Sequence, residues 1–201
     1  MGQRGRPGAV GGLRRILAVD IHQMQVRYDP AADRVLWQVR TASGELYALW
    51  LTRRMLRKLW PPLHRLVTQA GISQVAPHAV VLPEAQAMMA QAARERPLPQ
   101  ADFSKPFDAT PAAMPQGPEP LLPTEIDLGP GPTGAGLALA AREPGGRRLA
   151  LQLTADLATG LQRLLEQALV DADWGFGPAA ALAAEASDTP GSAPPPAPVL
   201  N

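Results

Sequence analysis

The chain contains no cysteine. That excludes disulfides, thiolate nucleophiles, thiolate zinc sites and thiolate-held iron–sulfur clusters. Aromatic residues are scarce at 4%. No apolar run approaches the roughly 18 residues that a membrane-crossing helix needs. The N-terminal stretch MGQRGRPGAVGGLRR is basic, but no apolar segment long enough for a secretory signal follows it. A protein without a membrane span, placed in the cytoplasm, is the expectation.

Signatures of chemistry are also missing. His22, His64 and His78 are scattered without metal-ligand spacing. There is no phosphate-loop or dinucleotide fingerprint. GPGPTGAG at Gly129–Gly136 has prolines where backbone donors would be needed, and it leads into a strand rather than a helix. No nucleophile elbow is present. Asp171 and Asp173 form a close acidic pair beside Trp174, but at a helix end such a pair is expected to be solvated. No catalytic residue, metal or cofactor is expected, and the protein is read as a non-enzyme.

Proline, by contrast, is abundant: 23 residues in 201, against about 10 at an average usage near 5%. Eight fall within residues 97–123, which read as a connector. Phe103 and Phe107 lie in that connector, and two aromatics there predict docking on a folded surface, its own or a partner's. The ends read as a flexible basic arm (1–13) and a disordered Ala/Pro-rich tail (176–201). Charge is divided. Residues 1–70 hold 12 Lys and Arg against 4 acids, and residues 71–201 hold 7 against 14. Such asymmetry fits either an acidic ligand for the basic half or two halves that face each other.

Between the ends, hydrophobic periodicity predicts strands at Ile16–Asp29, Arg34–Thr41 and Glu45–Thr52, with a turn at Pro30–Asp33 and a hairpin loop at Ala42–Gly44. The period then changes. Met55, Leu56, Leu59, Leu63, Leu66 and Val67 fall at helical spacing behind an N-cap at Thr52. Pro61 and Pro62 predict an interruption near Trp60. Residues 71–96 read as a loop and an inserted helix at Glu84–Arg96.

An internal repeat organises these elements. A shift of 102 residues lays Val35–Val67 on Leu137–Leu169 without a gap, with eight of 33 positions identical. The identities fall at the hairpin glycines (Gly44, Gly146), the strand-end Leu-x-Leu-Thr (Leu51–Thr52, Leu153–Thr154) and the helix stripe (Leu59/Leu161, Leu63/Leu165). Upstream, Asp20–Ile21 reads against Glu125–Ile126 at a slightly different offset. The predicted fold is α+β: two tandem β-β-β-α repeats (14–70 and 124–175) sharing a core, pseudo-two-fold, with a helical insertion. The element order resembles the tandem sheet-then-helix repeats of the Pur-alpha and Whirly families, which have four strands per repeat and bind single-stranded nucleic acid. Three strands per repeat are read here, and no motif of either family is present.

The repeat provides an internal control for Leu49–Trp60, which sets four cations between two tryptophans. Arg53, Arg54, Arg57 and Lys58 correspond to Ala155, Asp156, Thr159 and Gly160, so the fold does not require the cations. Arg53 and Arg54 also oppose the positive helix N-terminus, at a cost of about 0.3–1 kcal/mol each. Arg54, Arg57, Lys58 and Arg65 share a stripe opposite the leucines. Three readings compete: a solvated face, an acidic protein surface, and a phosphate backbone. Trp37 and Trp50 are expected in the core and Trp60 partly exposed, where it or Tyr47 could stack on a base. The first reading of function is a non-catalytic interaction or assembly protein, docking on partners through Arg53, Arg54, Arg57, Lys58, Trp60 and Arg65 and through the Phe103/Phe107 connector. The second is a nucleic-acid-binding protein that adds the arm residues Arg4, Arg6, Arg14 and Arg15. Exposed strand edges make a homodimer plausible.

Overall fold

The computed structural model describes residues 20–75, 88–89, 91–92, 106–108, 110–132, 134 and 136–177. Two three-stranded antiparallel sheets, each in simple meander order, are each followed by a helix. The first unit comprises β1 (Ile21–Asp29), β2 (Arg34–Thr41), β3 (Leu46–Thr52) and α1 (Arg53–Val75). The second comprises β4 (Glu125–Pro130), β5 (Leu137–Arg142), β6 (Arg148–Leu153) and α2 (Ala155–Ala172). The expected α+β class and β-β-β-α units are present.

The 102-residue shift holds in the hydrogen-bond register. Val35 lies opposite Leu51, and Leu137 lies opposite Leu153. Gly44 and Gly146 take φ of +82° and +87° in matching hairpin loops, a conformation that favours glycine. Thr52 and Thr154 each accept a hydrogen bond from the backbone N–H three residues on, both at 3.3 Å. The first strands obey the same shift. Met24 faces Val39 and Ile126 faces Ala141, so Met24 matches Ile126 and Val26 matches Leu128. The different offset expected from Asp20–Ile21 is therefore corrected: strand pairing, not the acidic–isoleucine dipeptide, sets the alignment.

Helix α1 is also corrected. It runs unbroken through Pro61 and Pro62 and extends to Val75. Two prolines remove the N–H groups that would bond the carbonyls of Arg57 and Lys58. Arg57, Lys58 and Pro61 are all exposed. On that side water can satisfy both carbonyls, so the helix need not end.

Each sheet buries one face. Alternation along β2 places Val35, Trp37 and Val39 inward, and along β6 it places Leu149, Leu151 and Leu153 inward. These join Leu56, Leu63, Leu161 and Leu165 of the two helices in one core cluster. Packing is reciprocal: α2 lies against β1, α1 against β4, and the helices against each other. A three-stranded meander has too little apolar cover alone, and here each half receives the other's helix.

The described part of the connector is bonded to the first sheet. Arg40 is ion-paired with Asp108. Asp108 N–H donates to Gln23 at 3.2 Å, and Phe107 is half-buried. Leu46 N–H donates to the Ala113 carbonyl at 2.9 Å, while Trp50 N–H donates to Leu121 and Leu121 N–H to Ala48, both at 2.8 Å. Leu121 is 0% exposed. The surface on which this part of the connector docks is thus its own. Phe103, the N-terminal arm, the tail from 178 onward and most of Glu84–Arg96 lie outside the described residues; Met88, Met89, Gln91 and Ala92 are helical.

Candidate interaction surface

The heptad-like spacing of α1 sorts its side chains. Leu56, Leu59, Leu63 and Val67 face the core. Arg54, Arg57, Lys58 and Arg65 project from the opposite side and are exposed. No acidic residue lies in the first turn. Among the described residues none of these four cations has a salt bridge or side-chain hydrogen bond. The acidic half therefore does not neutralise the stripe within the described structure.

Arg53 behaves differently. Its Nη2 donates to the Trp174 carbonyl at 3.0 Å. That carbonyl belongs to a cluster not anticipated from sequence. Asp33 Oδ1 accepts from the Trp174 indole at 2.8 Å and from the Tyr28 hydroxyl at 2.9 Å. Tyr28 meets Trp174 edge to face at 5.7 Å, and Phe176 stacks on Trp174 at 6.0 Å. The indole bond, then the phenol bond, hold the Asp33 carboxyl below its ordinary range. The same hydrogen bond raises the Tyr28 phenol. Asp33 sits at φ +48° in its turn, and Asp173 at +48° ends α2, turning the chain back onto the first unit. The only sequence signal was an aromatic pair, Trp174 and Phe176, directly after a helix.

A groove of about 640 Å³ lies between the first half of α1 and β4. Arg54 and Lys58 stand on one wall and Glu125 and Asp127 on the other, with Met55, Leu59, Ile126 and Leu128 between them. Both carboxylates are ion-paired with Arg142, the Glu125 contact at 3.2 Å. The repeat accounts for the groove. In α2 the position matching Lys58 is Gly160, which is buried, and this helix closes more extensively on β1 than α1 does on β4. Lys58 stands where Gly160 does, and its long, charged stem cannot be buried there without loss of solvation.

The aromatic expectations require correction. Trp60 is 9% exposed and belongs to the core cluster, whereas Trp50 is only half-buried. Leu49 and Leu51 point inward, so strand alternation turns Trp50 to the other face. Trp60 is carried on the leucine side of α1. Trp37 is buried at 1%. Tyr47 is 7% exposed and donates to Glu45 at 3.2 Å, so its ring is not available for stacking.

His64 lies in a polar bridge between the helices. Gln162 Nε2, 5% exposed, donates to His64 Nδ1 at 3.1 Å and to Glu166 at 2.9 Å, joining the helices. His22 is exposed and His78 lies outside the described residues. Among the described residues there is no His/Cys/Asp/Glu group able to hold a metal, and no helix is long and apolar enough to cross a membrane. Asp171 accepts from Gln167 at 3.2 Å, and Asp173 serves as the helix cap, so the pair has separate local roles. No family model, curated protein or solved structure matches the chain.

Proposed function

We propose that this is a non-catalytic interaction protein whose basic α1 face and adjoining groove dock an acidic segment of a protein partner. One observation carries the reading. Arg54, Arg57, Lys58 and Arg65 are exposed and unpaired among the described residues, on a helix whose internal counterpart has Asp156, Thr159, Gly160 and Gln167 at the same positions. Charge that the scaffold does not need, and that at Arg54 opposes the helix N-terminus, is accounted for by an external anion. The apolar groove floor suits side chains rather than a sugar–phosphate chain. The same reading takes the protein as cytoplasmic and self-associating, the two halves as a pseudo-two-fold pair, and residues 84–96 as a helix inserted between them.

The second reading is a nucleic acid on the same stripe, favoured by the alignment of four cations along one helix face. Fluorescence anisotropy separates the two. The probes are a labelled peptide alternating Leu and Glu, and labelled single- and double-stranded oligonucleotides, at two salt concentrations. Peptide binding that is lost in the Arg54→Ala/Arg57→Ala/Lys58→Ala variant is the expected result. Oligonucleotide binding with a steep salt dependence, and none to the peptide, would transfer the site to nucleic acid. Binding to neither at low salt would return the stripe to a solvated face.

A further inference from the structure

The outer face of the first sheet differs from that of the second. Side chains alternate along a strand, so those between the core residues Val35, Trp37 and Val39 face away from the core. Register sets them in rows across the sheet. Arg27 lies opposite Leu36, and Leu36 opposite Trp50. Gln25, Gln38 and Ala48 form the next row. The 102-residue shift supplies the comparison. The matching rows of the second sheet are Gly129, Ala138 and Gln152, then Asp127, Ala140 and Ala150. The scaffold thus accepts a small, polar, partly acidic face. The first sheet instead carries a tryptophan, a leucine and an arginine.

Leu36 is 4% exposed yet lies outside the core cluster, flanked in register by Arg27 and Trp50. Trp50 therefore stands on apolar footing with part of its surface open. Among the described residues its ring stacks on no other. Arg27 is exposed and Arg34 half-buried. Among the described residues neither has a salt bridge or side-chain hydrogen bond. The acid at their end of the sheet is Asp29, whose Oδ1 accepts from the N–H groups of Ala31 and Ala32. Where the second sheet has Glu125 and Asp127, the first has Gln23 and Gln25. An open indole beside cations and amides, without the acids of its counterpart, is complementary to a flat ring linked to a phosphate.

We propose that this face binds single-stranded nucleic acid, one base stacking on Trp50 and adjoining phosphates meeting Arg27 and Arg34. Arg27 is two strands from Trp50, about 10 Å at roughly 4.8 Å per strand, so base and backbone of one strand can be held together. In a duplex both faces of a base are already stacked, so the indole selects single strands. The site is separate from the α1 groove and does not rest on the peptide reading.

Oligothymidylate titrated into the full chain tests this, read by intrinsic fluorescence and, with a labelled oligonucleotide, by anisotropy. Trp37, Trp60 and Trp174 are 1%, 9% and 4% exposed, so quenching of accessible tryptophan fluorescence reports Trp50. Quenching by the single strand, and about tenfold weaker binding of a duplex of the same length, is the expected result. Trp50→Gln installs the residue found at the matching place in the second sheet. It should weaken single-strand binding about tenfold or more, the size of one lost stacking contact, while Trp50→Phe keeps most of the affinity. Arg27→Gln should lower the slope of log affinity against log salt by about one. Leu/Glu peptide affinity should stay the same in Trp50→Gln, showing fold and groove intact. Equal single-strand affinity with and without Trp50→Gln would overturn the proposal and leave the nucleic acid to the α1 stripe. Equal binding of duplex and single strand would overturn it too, because no base would then be stacked. Neither quenching nor binding at low salt would overturn it and pass the face to a protein partner.

Discussion

Replacing Arg54 by Glu should make the protein more stable and a poorer binder at once. Arg54 is the second residue of α1, exposed, and has no acid in its own turn. Arg and Glu have similar helix propensities, so the backbone preference is unchanged. Reversing the charge removes a repulsion from the helix N-terminus and adds an attraction, each about 0.3–1 kcal/mol. It also turns two like-charge neighbours, Arg57 at i+3 and Lys58 at i+4, into opposite-charge ones, about 0.2–0.5 kcal/mol in each direction per pair. Exposure puts every contribution at its lower end, and the sum is about 1–2 kcal/mol. At about 2–4 °C per kcal/mol for a chain of this length, Tm should rise by roughly 4 °C. Scanning calorimetry at low ionic strength reads this directly. In 1 M salt the Debye length falls to about 3 Å, and most of the gain should vanish. The same variant should lose affinity for the Leu/Glu peptide. An unchanged or lowered Tm at low salt would refute the reasoning, because it would show that Arg54 already has a favourable partner and that the stripe is not surplus charge.

Other perturbations test the frame around the site. Leu121→Ala empties a fully buried position, and urea denaturation should show a loss of about 2–5 kcal/mol. Gly146→Ala, at φ +87° with nothing near the added Cβ, should cost about 1–2 kcal/mol. Gly136→Ala should cost a further 1–3 kcal/mol or so, because at φ +79° its Cβ would lie 2.1 Å from the Leu153 carbonyl oxygen; comparing the two urea midpoints checks the difference. Asp33 has a lowered folded-state pKa, so its contribution to stability is present above the unfolded carboxylate pKa and is lost as pH falls through the folded one. Asp33→Asn should therefore flatten the acid limb of stability against pH, measured by urea midpoints from neutral pH down to about pH 2.

Much of the fold could be read from alternation and the repeat. Strand β2 has the bounds that period-two patterning implies, because Val35, Trp37 and Val39 alternate with Arg34, Gln38 and Arg40, with Leu36 the one apolar exception. The glycine pair and the threonine caps were legible because few residues satisfy a positive φ or an orphan helix N–H. The tryptophans were not. Trp50 and Trp60 are separated by a change from strand to helix, and which face each takes depends on phase: one residue's shift in β3 exchanges inside for outside. Continuity of α1 across Pro61 and Pro62 depended on the exposure of the unbonded carbonyls, a tertiary property. The Asp33–Trp174 contact joins residues 141 apart in sequence, and no local pattern encodes it. At the candidate site the basic stripe was legible from helical spacing; the groove was not, because it arises where α1 fails to close on a strand of the other repeat.

That failure to close is where the two repeats diverge. Two identical units would place two identical helices on two identical strands, and neither would leave a groove. Here α2 has Gly160 and settles on β1, whereas α1 has Lys58 beside β4 and stands off. The shared leucines keep both helices in one core. Burying a lysine in the manner of Gly160 would cost its hydration; keeping it exposed leaves apolar floor beside it. Basic charge and groove are thus one consequence of the same substitutions. Lys58→Gly should therefore both reduce peptide affinity and narrow the groove, drawing α1 toward β4. If Lys58→Gly weakened the peptide while the α1–β4 distance stayed as it is, measured by a spin-label pair in this cysteine-free chain, charge and groove would be independent features.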